Sequence, residues 1–332
     1  MKEKFLFLIF FFIIVSPFFL YTSEEKTFKI GIVPWIAWNP LYVAEELGLW
    51  EEEGVKVEII NYGNIREKIN SFRNGLTEIS FGEPADFLPL LETGMKIKVL
   101  ICVDGSFGAD KFFIRKDIEV KDLKGKKIAI SPYPAGDFFV WRGLKALKIP
   151  IENLDFINVD SPSMGAEAFL SGKVDGVYLY PPSSFKLEET RNSIELFNSS
   201  KFPVFEAIFC REDLIEREKE NLKKILIGWI KASIWSNKEE NLEKFLEISR
   251  KKMYFRREKF EMEKWKKAMK EVKIFFQPAE IYRVNKKDGD FWKYFMEEVI
   301  FLIKKGYIKK GINPDNVIEM EIWKSAYREV FP

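Results

Sequence analysis

Short apolar runs alternate with amphipathic stretches along the first third of the chain. Lys29 to Val33 is a run suited to a buried strand, and Pro34 ends it because proline has no amide to give a ladder. Asn39 can cap the helix that follows, Pro40 fits its first turn, and Gly48 suits a left-handed exit. Val55 to Ile60 predicts a second strand. Asn64 with Glu67 forms a capping box for a helix that Ile65, Ile69 and Phe72 line on one face. Glu78 to Phe81 predicts a third strand, Pro84 opens another helix that Gly94 closes, and Lys96 to Val103 predicts a fourth strand. This strand-helix order implies a mostly parallel sheet with right-handed crossovers.

Asp104 to Asp110 is rich in turn formers and marks a passage to a second lobe. Beyond Lys111 to Arg115 the pattern repeats: Lys127 to Ile130 as a strand, Ser131 to Gly136 as a loop, and Asp137 to Leu147 as a helix. Phe156 to Val159 is a strand, Ser163 caps a helix through Leu170, and Asp175 to Tyr180 is the last strand of the lobe. Val204 to Arg211 then reads as a return strand into the first lobe. Everything after it reads as helix: Glu218 to Ser236, Lys238 to Lys251, Arg257 to Val272, Asp290 to Lys305, and a piece near Ile322 to Tyr327. The expected division is 1–23 as a targeting segment, 24–110 as the first part of lobe 1, 111–203 as lobe 2, and 204–332 as the return strand and C-terminal helices of lobe 1.

Composition narrows the chemistry. Lysine and arginine number 53 against 51 acids, so a net charge of +2 gives no reason to expect nucleic acid as a partner. The chain has no histidine, which removes Ser-His-Asp and Cys-His nucleophiles and histidine metal ligands together; no cofactor and no metal site is expected. Lys2 and Lys4 precede an apolar run from Phe5 to Tyr21, which reads as a secretory signal with an uncleaved anchor as the alternative. No cysteine follows that run to carry a lipid. Cys102 and Cys210 fall in strand-like stretches and read as buried free thiols, although export would permit a disulfide.

In an open α/β sheet the loop after a strand lies where ligands bind, so Trp35 and Trp38 offer a stacking surface; packing is the alternative role for both rings. At this point four stretches carry a family pattern: Pro34-Trp35 with Leu41 to Trp50, Asp104 to Asp110, Asp122 to Ala129, and Glu167 to Asp175. Together they resemble the periplasmic solute-binding proteins of ABC importers, in the branch that includes nitrate, sulfonate and taurine binders and the thiamin-pyrimidine binders of the NMT1/THI5-like group. The resemblance implies an α/β fold of the type II periplasmic-binding-protein kind, with two lobes, a two-strand hinge, and a helical C-terminal region packed on lobe 1. It further implies a periplasmic or extracellular monomer that catches a small molecule between the lobes and presents it to a membrane permease.

Carried over by position, the ligand loops of that family fall on Trp35, Trp38 and Asn39, on Glu83 and Pro84, on Asp104 and Ser106, on Tyr133, Gly136 and Asp137, and on Tyr180. These loops hold acids and aromatic rings but no lysine or arginine. Sulfonate and nitrate binding needs donors and a basic side chain, so the expected ligand is heteroaromatic or cationic: a thiamin-precursor pyrimidine, a riboflavin-like ring or a polyamine-like amine. Asp104 and Asp137 are also suited to capping turns or helix starts. Eukaryotic members of the THI5-like group act as pyrimidine synthases. That activity goes with a histidine and a cysteine-rich iron site, which this chain lacks, so a binding protein and not an enzyme is expected.

Overall fold

The computed structural model describes residues 26–131, 133–254 and 261–332. The run Phe5 to Tyr21 lies outside them, and among the described residues no helix is long and apolar enough to cross a membrane.

Two mixed sheets form the frame. In chain order the strands are β1 (Thr27–Ile32), β2 (Lys56–Asn61), β3 (Ile79–Gly82), β4 (Ile97–Ser106), β5 (Lys111–Arg115), β6 (Lys127–Ile130), β7 (Asp155–Asn158), β8 (Gly176–Leu179), β9 (Ser193–Asn198), β10 (Val204–Arg211) and β11 (Val272–Ile274). The first sheet runs β11-β4-β10-β3-β1-β2 and the second β7-β6-β8-β5-β9. β1 pairs parallel with β2 and β3, and β6 pairs parallel with β7 and β8, as the strand-helix alternation implies. β10 is inserted antiparallel between β3 and β4. The C-terminal region is helical, and its long helix Glu212–Ser236 packs on Pro40–Glu46 of the first lobe.

Several local expectations are corrected. Asn39 is not a side-chain cap: its amide donates to the Phe245 carbonyl at 2.8 Å, a partner that no local pattern reveals. Ser161, not Ser163, caps the helix Pro162–Leu170. The helix expected from Asp137 starts at Pro134, because proline suits a first turn, so Gly136 and Asp137 are helical. Tyr180 does not end the second sheet's strands, since β9 follows on its edge; β11 interrupts the region read as wholly helical and pairs with β4. The helix expected at Arg257 to Val272 is described as Met262–Ala268 and a 3-10 turn. Cys102 and Cys210 are buried free thiols on β4 and β10.

Among the described residues the chain passes between the sheets after β4 and after β9, and serines tie the two passages together. Ser199 Oγ lies 2.7 Å from Ser106 Oγ and accepts from the Gly108 and Asp110 amides at 2.7 and 3.2 Å. Lys111 reaches Glu188 at 2.9 Å and Glu271 at 3.1 Å beside them. Gly108 has φ +146°, and an added Cβ would stand 3.2 Å from the Glu271 side chain. Gly108→Ala is therefore expected to destabilise the fold by about 1–3 kcal/mol, read as a lower urea midpoint. A midpoint equal to the parent's would show that the crossing tolerates a side chain.

Candidate functional site

Pro34 ends β1, and the chain turns through Trp35 into a 3-10 helix, Ile36–Trp38. Both indoles are buried, and both donate to one carboxyl group: Trp35 Nε1 to Asp104 Oδ1 and Trp38 Nε1 to Asp104 Oδ2, each at 3.1 Å. Asp104, near the end of β4, thus holds the aromatic loop in place. Trp35 meets Tyr180 edge to face at 5.7 Å, so rings from opposite lobes touch.

Glu83 follows β3 and precedes the short helix Pro84–Phe87. Its carboxyl accepts from Tyr294 Oη. Asp86 accepts from the Ala135 amide at 3.2 Å, which links this helix to the start of Pro134–Ala146 in the other lobe. Asp110 accepts from Tyr178 Oη. Lys68, from the helix Ile65–Arg73, is buried; its Nζ donates to the Phe81 carbonyl at 2.6 Å and lies over the Trp38 and Phe87 rings at 5.2 and 5.4 Å. Gly82 permits that approach, because a Cβ there would stand 2.8 Å from Lys68 Nζ.

These groups surround an inner cavity of about 40 Å³ lined by Trp35, Trp38, Lys68, Glu83, Asp86, Asp110, Gly136, Tyr178, Tyr180 and Glu206. A cleft of about 520 Å³ lies outside it, walled by Pro34, Asn61, Tyr62, Ser161, Ser163, Pro182 and Tyr254. The two share Val33, Ile65, Ser131 and Tyr180, so they adjoin between the lobes.

Burial dominates the electrostatics. It lifts Asp86 to about 6, against the opposing pull of Lys68, and Asp104 to about 7, against the indole donors. It pushes Glu83 and Glu206 well above the usual carboxylate range, with neighbouring acids adding to the rise. The same burial lowers Lys68, although Asp86, Glu206 and Glu83 pull it back. The cavity is therefore rich in hydrogen-bonding carboxyls and poor in positive charge.

Of the residues anticipated from sequence, Trp35, Trp38, Glu83, Gly136 and Tyr180 line the inner cavity. The others have partners elsewhere. Asn39 serves Phe245, Asp104 stands behind the indoles, Ser106 belongs to the crossing, and Pro84 fills a first turn. Tyr133 precedes the helix Pro134–Ala146, and Asp137 accepts from Tyr307 Oη at 2.9 Å. Sequence reading missed Lys68, Asp86, Asp110, Tyr178 and Glu206. A lysine beside Ile65, Ile69 and Phe72 on a helix, and a lone acid in the run Val204 to Cys210, were the available signals.

Two α/β lobes joined by paired crossings, with a cleft between them, match the fold of periplasmic binding proteins. Solved structures agree on that fold. The nitrate-binding protein NrtA from Synechocystis PCC 6803 superposes with a TM-score of 0.73 at 17% identity, covering 93% of this chain and 90% of that one. The aliphatic sulphonate-binding protein SsuA from Escherichia coli gives 0.69 at 13% identity, covering 92% and 100%. The family described as NMT1/THI5 like matches residues 35–241, and the chain belongs to that family. A Brucella abortus (strain 2308) protein described as a binding protein is 26% identical over 191 residues, 55% of this chain; the match spans 58% of that relative's length.

Proposed function

We propose that this protein is the extracytoplasmic solute-binding component of an ABC importer. In this reading it works as a monomer: residues 24–110 with 204–332 close against 111–203 over a small ligand, and the closed form is delivered to a membrane permease. The ligand is heteroaromatic or cationic, with a thiamin-precursor pyrimidine or a riboflavin-like compound as representatives. One observation carries the reading: among the described residues, Glu83, Asp86, Asp110 and Glu206 line a cavity whose aromatic walls are Trp35, Trp38, Tyr178 and Tyr180, against Lys68 alone. Carboxyls accept from amino groups, indole faces suit a cationic head, and Tyr180, shared with the outer cleft, can receive a flat body there.

The second reading is an anion binder, favoured by the nitrate and sulphonate named for the solved neighbours. Against it, Lys68 Nζ already serves the Phe81 carbonyl among acids. A pyrimidine synthase of the THI5-like kind is disfavoured by the lack of histidine and by the burial of both thiols on strands.

Thermal melting of the chain from Ser23 onward, against pyrimidines, thiamin, riboflavin, polyamines, taurine, alkylsulfonates and nitrate, tests the choice. At 100-fold excess over Kd a ligand stabilises by about 2.7 kcal/mol, on the order of 5 °C in Tm. Glu83→Ala is expected to reduce the shift given by an amine at least tenfold in Kd, while the fold persists. A shift with nitrate or sulfonates alone overturns the amine reading.

A further inference from the structure

The carboxyl groups at the inner cavity differ in what they already hold. Asp86 has the Ala135 amide, Asp110 has Tyr178, and Glu83 has Tyr294. Asp104, one step behind, has an indole on each oxygen. Glu206 is different: its Oε2 is buried and has no hydrogen-bond partner. Glu298 also has unpartnered oxygens, but it is fully enclosed on the C-terminal helix Asp290–Lys305 and does not line the cavity.

Backbone geometry aims Glu206. On β10 it stands opposite Asp104 of β4, and the pairing shifts register between Glu206 and Ala207. Such an irregularity turns a side chain away from the regular alternation. Glu206 also shares a hydrogen bond with Asp104 and lines the cavity, so the carboxyl holds Asp104 and keeps a further acceptor site for a donor. An unmade hydrogen bond of this kind is costly in the empty fold, and at a cavity wall, unlike at Glu298, a ligand's donor can complete it.

Cavity size restricts the donor. A volume of about 40 Å³ is several times smaller than the roughly 150 Å³ cavity that takes up benzene, so it suits an amino head and not a ring. The body of the ligand must then lie in the outer cleft, whose walls include Tyr62, Tyr180 and Tyr254.

We infer that Glu206 is the specificity-determining acceptor of the cleft, taking the N–H of an amino group whose heteroaromatic body lies outside it. The inference rests on the proposal that this cleft binds a small ligand. It ranks ligands: an aromatic amine binds more tightly than the same ring with the amino group replaced by methyl, and more tightly than an unadorned polyamine.

The probes are 4-amino-5-hydroxymethyl-2-methylpyrimidine, its analogue with methyl in place of the amino group, spermidine and ethanesulfonate. Titration calorimetry and melting are run on the parent protein, Glu206→Gln and Glu206→Ala. In the parent, the amino compound should bind at least tenfold more tightly than its methyl analogue, and in Glu206→Ala the two should bind alike. Without ligand, Glu206→Gln should melt no lower than the parent, since it removes a buried acid with an unmade bond and keeps an amide to donate to Asp104. Discrimination kept by Glu206→Ala overturns the role of Glu206 and leaves the binding function standing. A ligand-free Tm several degrees lower in both variants makes Glu206 a structural residue and overturns the inference whatever binds. Stabilisation of the parent by ethanesulfonate and by no amine overturns this inference together with the amine reading.

Discussion

An Asp104→Ala variant is expected to unfold about 3 kcal/mol more readily than the parent at neutral pH. Trp35 and Trp38 are 4% and 1% exposed, so neither indole N–H can turn to water once its acceptor is gone. Hydrogen bonds to a charged group contribute roughly 1.5–3 kcal/mol each, and both are lost together. Part of that loss is offset, because burial that lifts Asp104 to about 7 means the ionised carboxyl is itself costly to hold. Asp104→Asn keeps one acceptor oxygen and turns an amide donor toward the second indole, so its cost should fall between parent and alanine. Urea denaturation followed by tryptophan fluorescence measures both. Equal stability of parent and alanine variant would show that the indoles find other acceptors and that Asp104 does not fix the loop.

Neighbouring residues carried their structure openly; the site did not. The proline after β1, the left-handed glycines Gly48 and Gly94, and the Asn64 side chain accepting from the Glu67 amide are set by contacts within a few residues, and each appears where the local pattern places it. The strand-helix alternation likewise specifies the parallel pairs. Asn39 shows where this fails: its amide is satisfied by a carbonyl 206 positions away. Lys68 lies on an amphipathic helix where a lysine ordinarily faces water, and only the packing of Gly82, Phe81 and Trp38 around it makes it a buried cation. β10 was legible as a strand, but its insertion between β3 and β4, which brings Glu206 beside Asp104, is a long-range pairing without a local signature. The aromatic and acidic character of the cleft could be read in order along the chain, whereas which acids are satisfied and which are open could not.

That accumulation of buried acids makes the second large effect one of pH: the ligand-free protein should lose stability between pH 5 and pH 8. Asp86 and Asp104, near 3.8 when unfolded, are lifted to about 6 and about 7, and burial lifts Glu83, Glu206 and Glu298 well above 4.5. Each folded group holds its proton more tightly than the unfolded chain does. The resulting stabilisation is complete below about pH 4 and is lost as pH rises through the folded values. Surface acids such as Asp117, Glu212 and Asp213 are shifted downward, mainly through their basic partners, and their contribution is lost only as pH falls below about 4, outside this window. Because the buried acids interact, their shifts do not add; a net loss of about 2–4 kcal/mol, roughly 5–10 °C in Tm, is expected from pH 5 to pH 8. Glu298→Gln removes one such acid without touching the cavity, so it should raise Tm at pH 8 more than at pH 5. A saturating amine should flatten the profile in the same direction by giving the ionised carboxyls a donor. A Tm that rises from pH 5 to pH 8 would mean that the carboxyls are ionised in pairs with cations, and the cleft would then have no vacancy of charge for an amine to fill.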